Sequence, residues 1–289
     1  MHAAPEPVTS RTFPARAARG GLLLDGAMAT CVHAIRATPG PATACDQLSI
    51  SDPDLVRRIH HAYLEAGADI VRTNTFRAAS QARALDSVSL CGAAARLARN
   101  AADEWSRRTP HQPRFVAGAL GPADDHGSAE PARAAYRAPL RALLEAGVDL
   151  VLFETWYAPA HVAPALAAYV DAAADAGRSV PVLLSASGAR IDDVLAAIDP
   201  HIVVGMGLNC GTGPAELAAT LTSLRRDARL VTCHPSAGLP DEAGRYPYEP
   251  DAFAQAVAAY AAAGLVDIVG GCCGTTPAHI AALARAGTQ

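Results

Sequence analysis

Eight short apolar runs, separated by longer alanine-rich stretches, constrain this chain more than any other feature. The runs cover residues 21–25, 69–73, 114–120, 149–153, 181–185, 202–208, 229–233 and 266–269. Several are apolar throughout, as strands covered on both faces are. Between them the pattern predicts helices over 53–67, 90–108, 133–147, 160–177, 191–198, 214–226 and 251–264, with a last one over 277–286. In the first of these, Leu55, Ile59, Ala62, Tyr63 and Ala66 share one face at a 3.6-residue period, and Gly67 ends it. Three helices run into the same punctuation: Ala66-Gly67-Ala68-Asp69, Ala146-Gly147-Val148-Asp149 and Ala263-Gly264-Leu265-Val266-Asp267. Glycine there lets the chain turn left-handed out of a helix and into the next strand.

Strand, glycine turn and helix in eightfold alternation favour an α/β fold of the closed (β/α)8 TIM-barrel type. The alternative is an open doubly wound sheet, which advertises a G-x-G-x-x-G loop after its first strand. Here that strand runs into Asp25-Gly26-Ala27-Met28-Ala29-Thr30, which is not that motif. A single barrel takes roughly 200 to 400 residues, and 289 residues fit one. With 51% hydrophobic residues the chain has enough apolar material to fill a closed core. No linker-like stretch divides it, so residues 21–289 read as one domain, preceded by a loose, flexible arm over residues 1–20.

Composition also narrows the function. A net charge of −4 and 5% aromatic residues do not suit a nucleic-acid partner, which needs a basic surface or stacking platforms. No apolar run approaches the roughly 18 to 20 residues that span a bilayer, so no membrane role is expected. The first 20 residues lack the apolar centre of a secretory signal, which leaves a cytoplasmic setting with reduced thiols as the expectation. The seven cysteines are odd in number and unevenly spaced, so they do not read as a disulfide framework.

In a parallel barrel the chemistry lies at the C-terminal ends of the strands. Those ends carry Asp25, Thr73-Asn74-Thr75-Phe76, Glu154-Thr155, Ser185, Asn209-Cys210, His234-Pro235 and Gly271-Cys272-Cys273-Gly274. Cys210 follows the sixth run and Cys272-Cys273 the eighth, so a barrel would bring all three to one mouth. Three thiolates around a divalent ion with one position open describe a catalytic zinc site, with Zn2+ as the cofactor. Cys31, Cys45, Cys91 and Cys233 read instead as small buried apolar residues. A structural zinc would need a fourth ligand, for which Cys233 and His234 are the candidates; the chain would then carry or sense a thiol without transforming it. Asp25 and Glu154 would hold the ammonium of an amino-acid substrate, or else act as a turn cap and a rim salt bridge. Thr276 followed by Pro277 reads as the start of the last helix.

Several of these segments resemble the homocysteine S-methyltransferases. They are residues 269–277 (VGGCCGTTP), Gly207-Leu208-Asn209-Cys210, residues 24–28 (LDGAM), Thr73-Asn74-Thr75-Phe76 and residues 94–122. The last stretch, with residues 234–240 (HPSAGLP), is similar to the homocysteine module of cobalamin-dependent methionine synthase, and the likeness spans about residues 21 to 286. It implies a (β/α)8 barrel with Cys210, Cys272 and Cys273 as zinc ligands. It implies that Asp25 and Glu154 bind the amino group of homocysteine and that backbone near Gly26 and Ala27 meets its carboxylate, with Asn74 and Asn209 also at the substrate. The product would be methionine. The donor it implies is a methyl-corrinoid on a separate cobalamin protein; S-adenosylmethionine, S-methylmethionine or a betaine are the small-molecule alternatives. Another thiol or a selenol is the alternative acceptor. Three features depart from the family pattern. Arg72 stands where the cobalamin-dependent members usually carry Glu, Ser236 stands where they carry Asn, and the stretch after the fifth strand is short.

Overall fold

Every apolar run becomes a strand, and the strands close on one another. In the computed structural model, which describes residues 12–36, 45–80, 86–123, 129–188, 191–224 and 230–287, they are β1 (Leu22–Leu23), β2 (Ile70–Arg72), β3 (Phe115–Leu120), β4 (Leu150–Trp156), β5 (Val182–Ala186), β6 (Val203–Cys210), β7 (Leu230–Pro235) and β8 (Ile268–Val269). All pair in parallel, in the order β1-β8-β7-β6-β5-β4-β3-β2. The ring closes between β1 and β2 through the Leu24–Ile70 bridge, where the Asp25 N–H donates to the Ile70 carbonyl at 2.9 Å. An open doubly wound sheet would leave two free edges, and this sheet has its outer strands joined. The fold is therefore a single-domain (β/α)8 barrel.

The outer layer consists of α4 (Pro53–Glu65), α5 (Ser87–Arg108), α6 (Ala129–Glu145), α7 (Val162–Ala176), α8 (Ile191–Ala196), α9 (Pro214–Leu224), α10 (Pro250–Ala262) and α11 (Pro277–Arg285). Arg229 and the last two residues of the expected 214–226 helix lie outside the described residues. The repeated glycine–aspartate punctuation has a double use. Gly67, Gly147 and Gly264 take positive φ values of 108°, 88° and 65°, turning the chain toward the next strand. The aspartates that follow then pin a neighbouring strand. Asp69 accepts the Leu23 N–H at 3.0 Å, Asp149 that of Val116 at 2.8 Å, and Asp267 that of Val231 at 2.8 Å. These carboxylates hold three pairs of adjacent strands in register at the closed end of the barrel.

One expectation needs correction. Residues 1–11 of the expected arm lie outside the described residues, but the rest of it is not loose. Residues Thr12–Ala17 form helix α1, and Phe13 is fully buried. Its ring meets Phe115, the first residue of β3, edge-on at 5.4 Å. Phe13 thus plugs the N-terminal end of the barrel, in an interior cluster with Leu22, Leu24, Ile70, Leu150, Leu152 and Leu183. A fully buried Phe is worth several kcal/mol of apolar transfer and packing, roughly 3 to 5 kcal/mol if truncated to Ala. Between β1 and α4 the chain also forms α2 (Met28–Arg36) and α3 (Leu48–Ser51), which the sequence pattern did not mark.

Candidate active site

The C-terminal ladders run further than the apolar runs do, and this shapes the mouth. β4 continues to Trp156, with its register shifting between Phe153 and Trp156 where Glu154 and Thr155 lie, while β6 continues to Cys210 and β7 to Pro235 in a ladder that pairs Asn209 with His234 and Cys210 with Pro235. A cavity of about 330 Å³ opens there, lined by strand ends, by the start of α2 and by Cys45 and Asp46.

On one side stand the sulfurs. The Sγ atoms of Cys210, Cys272 and Cys273 lie within 4.8 Å of one another, with Cys210–Cys273 and Cys272–Cys273 both at 4.0 Å. Ligands of a tetrahedral zinc at Zn–S distances of about 2.3 Å are separated by about 3.8 Å, so the spacing fits such an ion. Among the described residues this group contains three donors. Cys233 is fully buried on the helix-facing side of β7, packed in the outer core. Strand alternation turns His234 the opposite way, toward Glu154, with Nε2 3.6 Å from Oε2. Neither expected candidate joins the sulfurs as a fourth ligand.

The backbone is bent to make the cluster. Cys210 has φ +58°, a left-handed conformation that a non-glycine residue adopts at a cost of about 1 to 3 kcal/mol. After the cysteine pair, Gly274 (φ +79°) lies so close to the Tyr246 ring that a Cβ would come within 2.3 Å of it. At the first strand end, a Cβ on Gly26 would meet the Thr275 and Tyr63 hydroxyls at 2.7 and 2.8 Å. The last helix is entered as expected, with Thr276 as N-cap and Pro277 in the first turn.

The three thiols share their protons. Hydrogen bonds from Cys210 and Cys272 bring the Cys273 thiol down to about 3. At Cys272 the contact with Cys210 lowers the pKa, but the contact with Cys273 and burial outweigh it, and the result is about 11. The same neighbours, with burial, push Cys210 up further still. Thiols this close oppose one another's ionisation, and a cation among the sulfurs would relieve that opposition.

Asn209 ties the thiol side to β4. Fully buried, it accepts the Thr155 N–H at 2.9 Å and the Ser185 hydroxyl, and donates to Thr155 Oγ1 at 2.7 Å and Cys272 Sγ at 3.9 Å. Among the described residues, Thr155 is the other non-glycine residue with positive φ, +63°. The Asn209 amide is thus spent on bracing two strand ends. Asn74 lines the cavity, and its amide is likewise engaged, donating to the Cys45 carbonyl at 2.7 Å and Ser49 Oγ at 3.2 Å.

Across the cavity stand the carboxylates, and between them a residue that the strand-end pattern did not assign to the site. Arg72 Nε donates to Asp25 Oδ1 at 2.7 Å, and Nη1 to Glu154 Oε2 at 2.8 Å. Nη2 lies 3.1, 2.9 and 2.8 Å from the carbonyls of Asp25, Gly26 and Gly271. The backbone N–H of Arg72 donates to Asp25 Oδ2 at 2.9 Å. Asp25 and Glu154 both pair with Arg72 in buried salt bridges. The two acids titrate in opposite directions. Burial dominates at Asp25 and raises it to about 6 in spite of Arg72. At Glu154 burial is outweighed by Arg72 and His234 together, which bring it down to about 2. Asp46, buried and accepting the Arg77 N–H at 2.8 Å, is also raised to about 6 by burial.

The model of one family, homocysteine S-methyltransferase, matches residues 22–287. The chain belongs to that family. This homocysteine S-methyltransferase family member is similar to methionine synthase of Mycobacterium leprae, at 35% identity over 91% of the chain, and to that of Mycobacterium tuberculosis, at 36% over 91%. It spans about a quarter of the length of those relatives, 24% of each. Among solved structures it is similar to the Escherichia coli homocysteine methyltransferase MmuM. The oxidized form has a TM-score of 0.74 at 29% identity, covering 91% of this chain and 95% of that one; the metallated form has 0.73 at 28%, covering 91% and 96%. Among the described residues, no helix is long and apolar enough to cross a membrane.

Proposed function

We propose that this family member transfers a methyl group to the sulfur of homocysteine, giving methionine, with a zinc ion held by Cys210, Cys272 and Cys273. The observation that carries this reading is the three-sulfur cluster, spaced for a tetrahedral ion, at the wall of a cavity sized for a small amino acid. The metallated form of MmuM supports it, because the fold there also holds a metal. Zinc supplies an electrophilic centre that makes an incoming thiol a thiolate near neutral pH, where a free thiol of pKa about 8.5 is mostly protonated.

The chain's own residues do the rest by position. Cys273, the most exposed of the three, faces the cavity side from which an acceptor enters. Gly26 and Ala27 lead into α2, and the start of that helix offers backbone N–H groups and a positive dipole end to the acceptor carboxylate. Asp25, Glu154 and Arg72 form the polar wall facing the acceptor's amino end. Asn74 and Asn209 brace the walls on either side. The acceptor thiol loses its proton to solvent on binding. Its sulfur lone pair then forms the new S–CH3 bond, while the donor keeps the electron pair of the bond it loses.

For the donor, the identity to methionine synthases supports a methyl-corrinoid presented by a separate protein. MmuM is matched over 95% of its length, so a homocysteine methyltransferase of about this size supports a second reading in which a free small molecule such as a sulfonium compound is the donor. The test is methionine formation by zinc-loaded protein with homocysteine and either methylcobalamin or S-methylmethionine. Methionine from methylcobalamin is expected. Turnover with the sulfonium alone would replace the donor and leave the acceptor reading standing, and none with either would overturn the proposed activity.

A further inference from the structure

The cavity holds two charged side chains that the network around Arg72 does not use. The first is Asp46, 4% exposed, which reaches the cavity from the connection between α2 and α3. Its Oδ2 accepts the Arg77 N–H at 2.8 Å, which fixes the carboxylate, while Oδ1 has no partner among the described residues. The second is Arg77, a few residues past the end of β2. It lines the same cavity, yet among the described residues its guanidinium makes no hydrogen bond and no ion pair, and its Nε is buried. A buried N–H of a charged group is costly to leave unpaired and calls for a partner. Arg72, by contrast, has Nε, Nη1 and Nη2 all spent on Asp25, Glu154 and three carbonyls. It takes Glu154 through Oε2, which leaves Oε1. Glu154 is close enough to Asp46 to add to the rise that burial gives the Asp46 carboxyl, so an ammonium between them would relieve their repulsion. Beside them the free guanidinium offers the fork that a carboxylate fits. Opposite charges side by side on one wall match the head of an α-amino acid, which carries an ammonium and a carboxylate on one carbon.

We infer that Asp46 and Arg77 are specificity-determining residues that clamp the zwitterionic head of the acceptor, Asp46 with Glu154 receiving the ammonium and Arg77 the carboxylate beside the start of α2. The inference rests on the reading of the three cysteines as the seat of the acceptor sulfur. It gives the cavity a charge-based selection for an amino-acid thiol over thiols that lack either group. Asp46 and Arg77 select together because the Arg77 backbone holds the Asp46 carboxylate in place.

The probes are homocysteine, 4-mercaptobutyrate, which lacks the amino group, and 3-aminopropane-1-thiol, which lacks the carboxylate. Their dissociation constants for zinc-loaded protein are measured by titration calorimetry, independently of turnover. The wild type should bind homocysteine more tightly than either truncated thiol, and this arm does not depend on any variant folding. Asp46→Asn keeps an oxygen for the Arg77 N–H. It should weaken homocysteine and 3-aminopropane-1-thiol by about tenfold or more, and 4-mercaptobutyrate by less than about threefold. Arg77→Gln should give the complementary pattern, with homocysteine and 4-mercaptobutyrate weakened by about tenfold or more and 3-aminopropane-1-thiol nearly unchanged. The absence of either pattern in a folded variant would overturn the proposal, whether all three thiols weaken equally or none does. Unchanged thiol affinities with a raised KM for the methyl donor would move these residues to the donor side and overturn it as well. Wild-type protein that binds a truncated thiol as tightly as homocysteine would overturn it and leave the thiol-methyltransferase reading intact. Failure of all three thiols to bind the wild type would overturn the acceptor-site reading itself, and this proposal with it.

Discussion

The two sides of the barrel mouth are built on opposite plans. On the thiol side, Cys210, Cys272 and Cys273 converge with their sulfurs near contact, one of them exposed, and the Cys210 backbone is held in a left-handed conformation to bring them together. The donors gathered on that side are all thiols. On the carboxylate side, Asp25 and Glu154 also converge, but Arg72 has already joined them and most of their oxygens are used. That side carries its own cation. The contrast shows that two clusters at one mouth, each of which reads from sequence as waiting for a positive charge, differ in whether the chain supplies that charge itself.

Removing the internal cation should break the contrast with the largest effect. Arg72→Gln leaves two buried carboxylates without their partner, and loss of one member of a buried ion pair costs about 3 to 5 kcal/mol. Urea unfolding of the metal-free protein should show a loss of that size, while the zinc content of the loaded variant stays that of the wild type. A stability change under about 1 kcal/mol would mean that the network is as weak as a surface ion pair.

A smaller effect sharpens the same point through pH. Glu154, depressed in the folded protein to about 2 from 4.5, contributes stability that is present above pH 4.5 and is lost as pH falls toward 2. Asp25 works the other way. Its folded pKa of about 6 lies above the ordinary 3.8, so the folded state favours the protonated acid, and stability falls as pH rises from about 4 through 6. Asp25→Asn should remove its part of this decline from the unfolding midpoint of the metal-free protein. The difference should be a few degrees at most, because Asp46 titrates in the same range and remains. An identical slope in the variant and the wild type would place the Asp25 pKa in the ordinary carboxylate range.

The thiol side was legible in the sequence because its logic is local. Strand ends meet at the mouth of a parallel barrel, and Asn209-Cys210 and Cys272-Cys273 follow two runs that could only be strands. The eight strands were legible for the same reason, as continuous apolar runs broken by glycine and aspartate. The carboxylate side was half legible. Asp25 and Glu154 stood out as acids at strand ends, but their partner lies 47 and 82 residues from them in the chain. Seen alone, Arg72 marked only a departure from family habit. The left-handed backbones of Thr155 and Cys210 left no trace, since neither residue is glycine. Asn209 read as a substrate contact, and only its burial shows that its amide is committed to bracing. Cys45 and Asp46 reach the cavity from the connection between α2 and α3, which the strand-end rule does not survey. Helix α1 has six residues, too few to display a period, so the burial of Phe13 was invisible until the barrel around it was known.

The central claim is that the thiol side is a three-cysteine seat for one metal ion. Elemental analysis of the purified wild type, Cys210→Ala and Cys273→Ala after zinc loading and desalting tests it most directly, with far-ultraviolet circular dichroism to confirm that each retains the barrel. The account predicts one zinc per chain in the wild type and a loss of zinc from both variants, with unchanged spectra. Full zinc retention in both folded variants would contradict it.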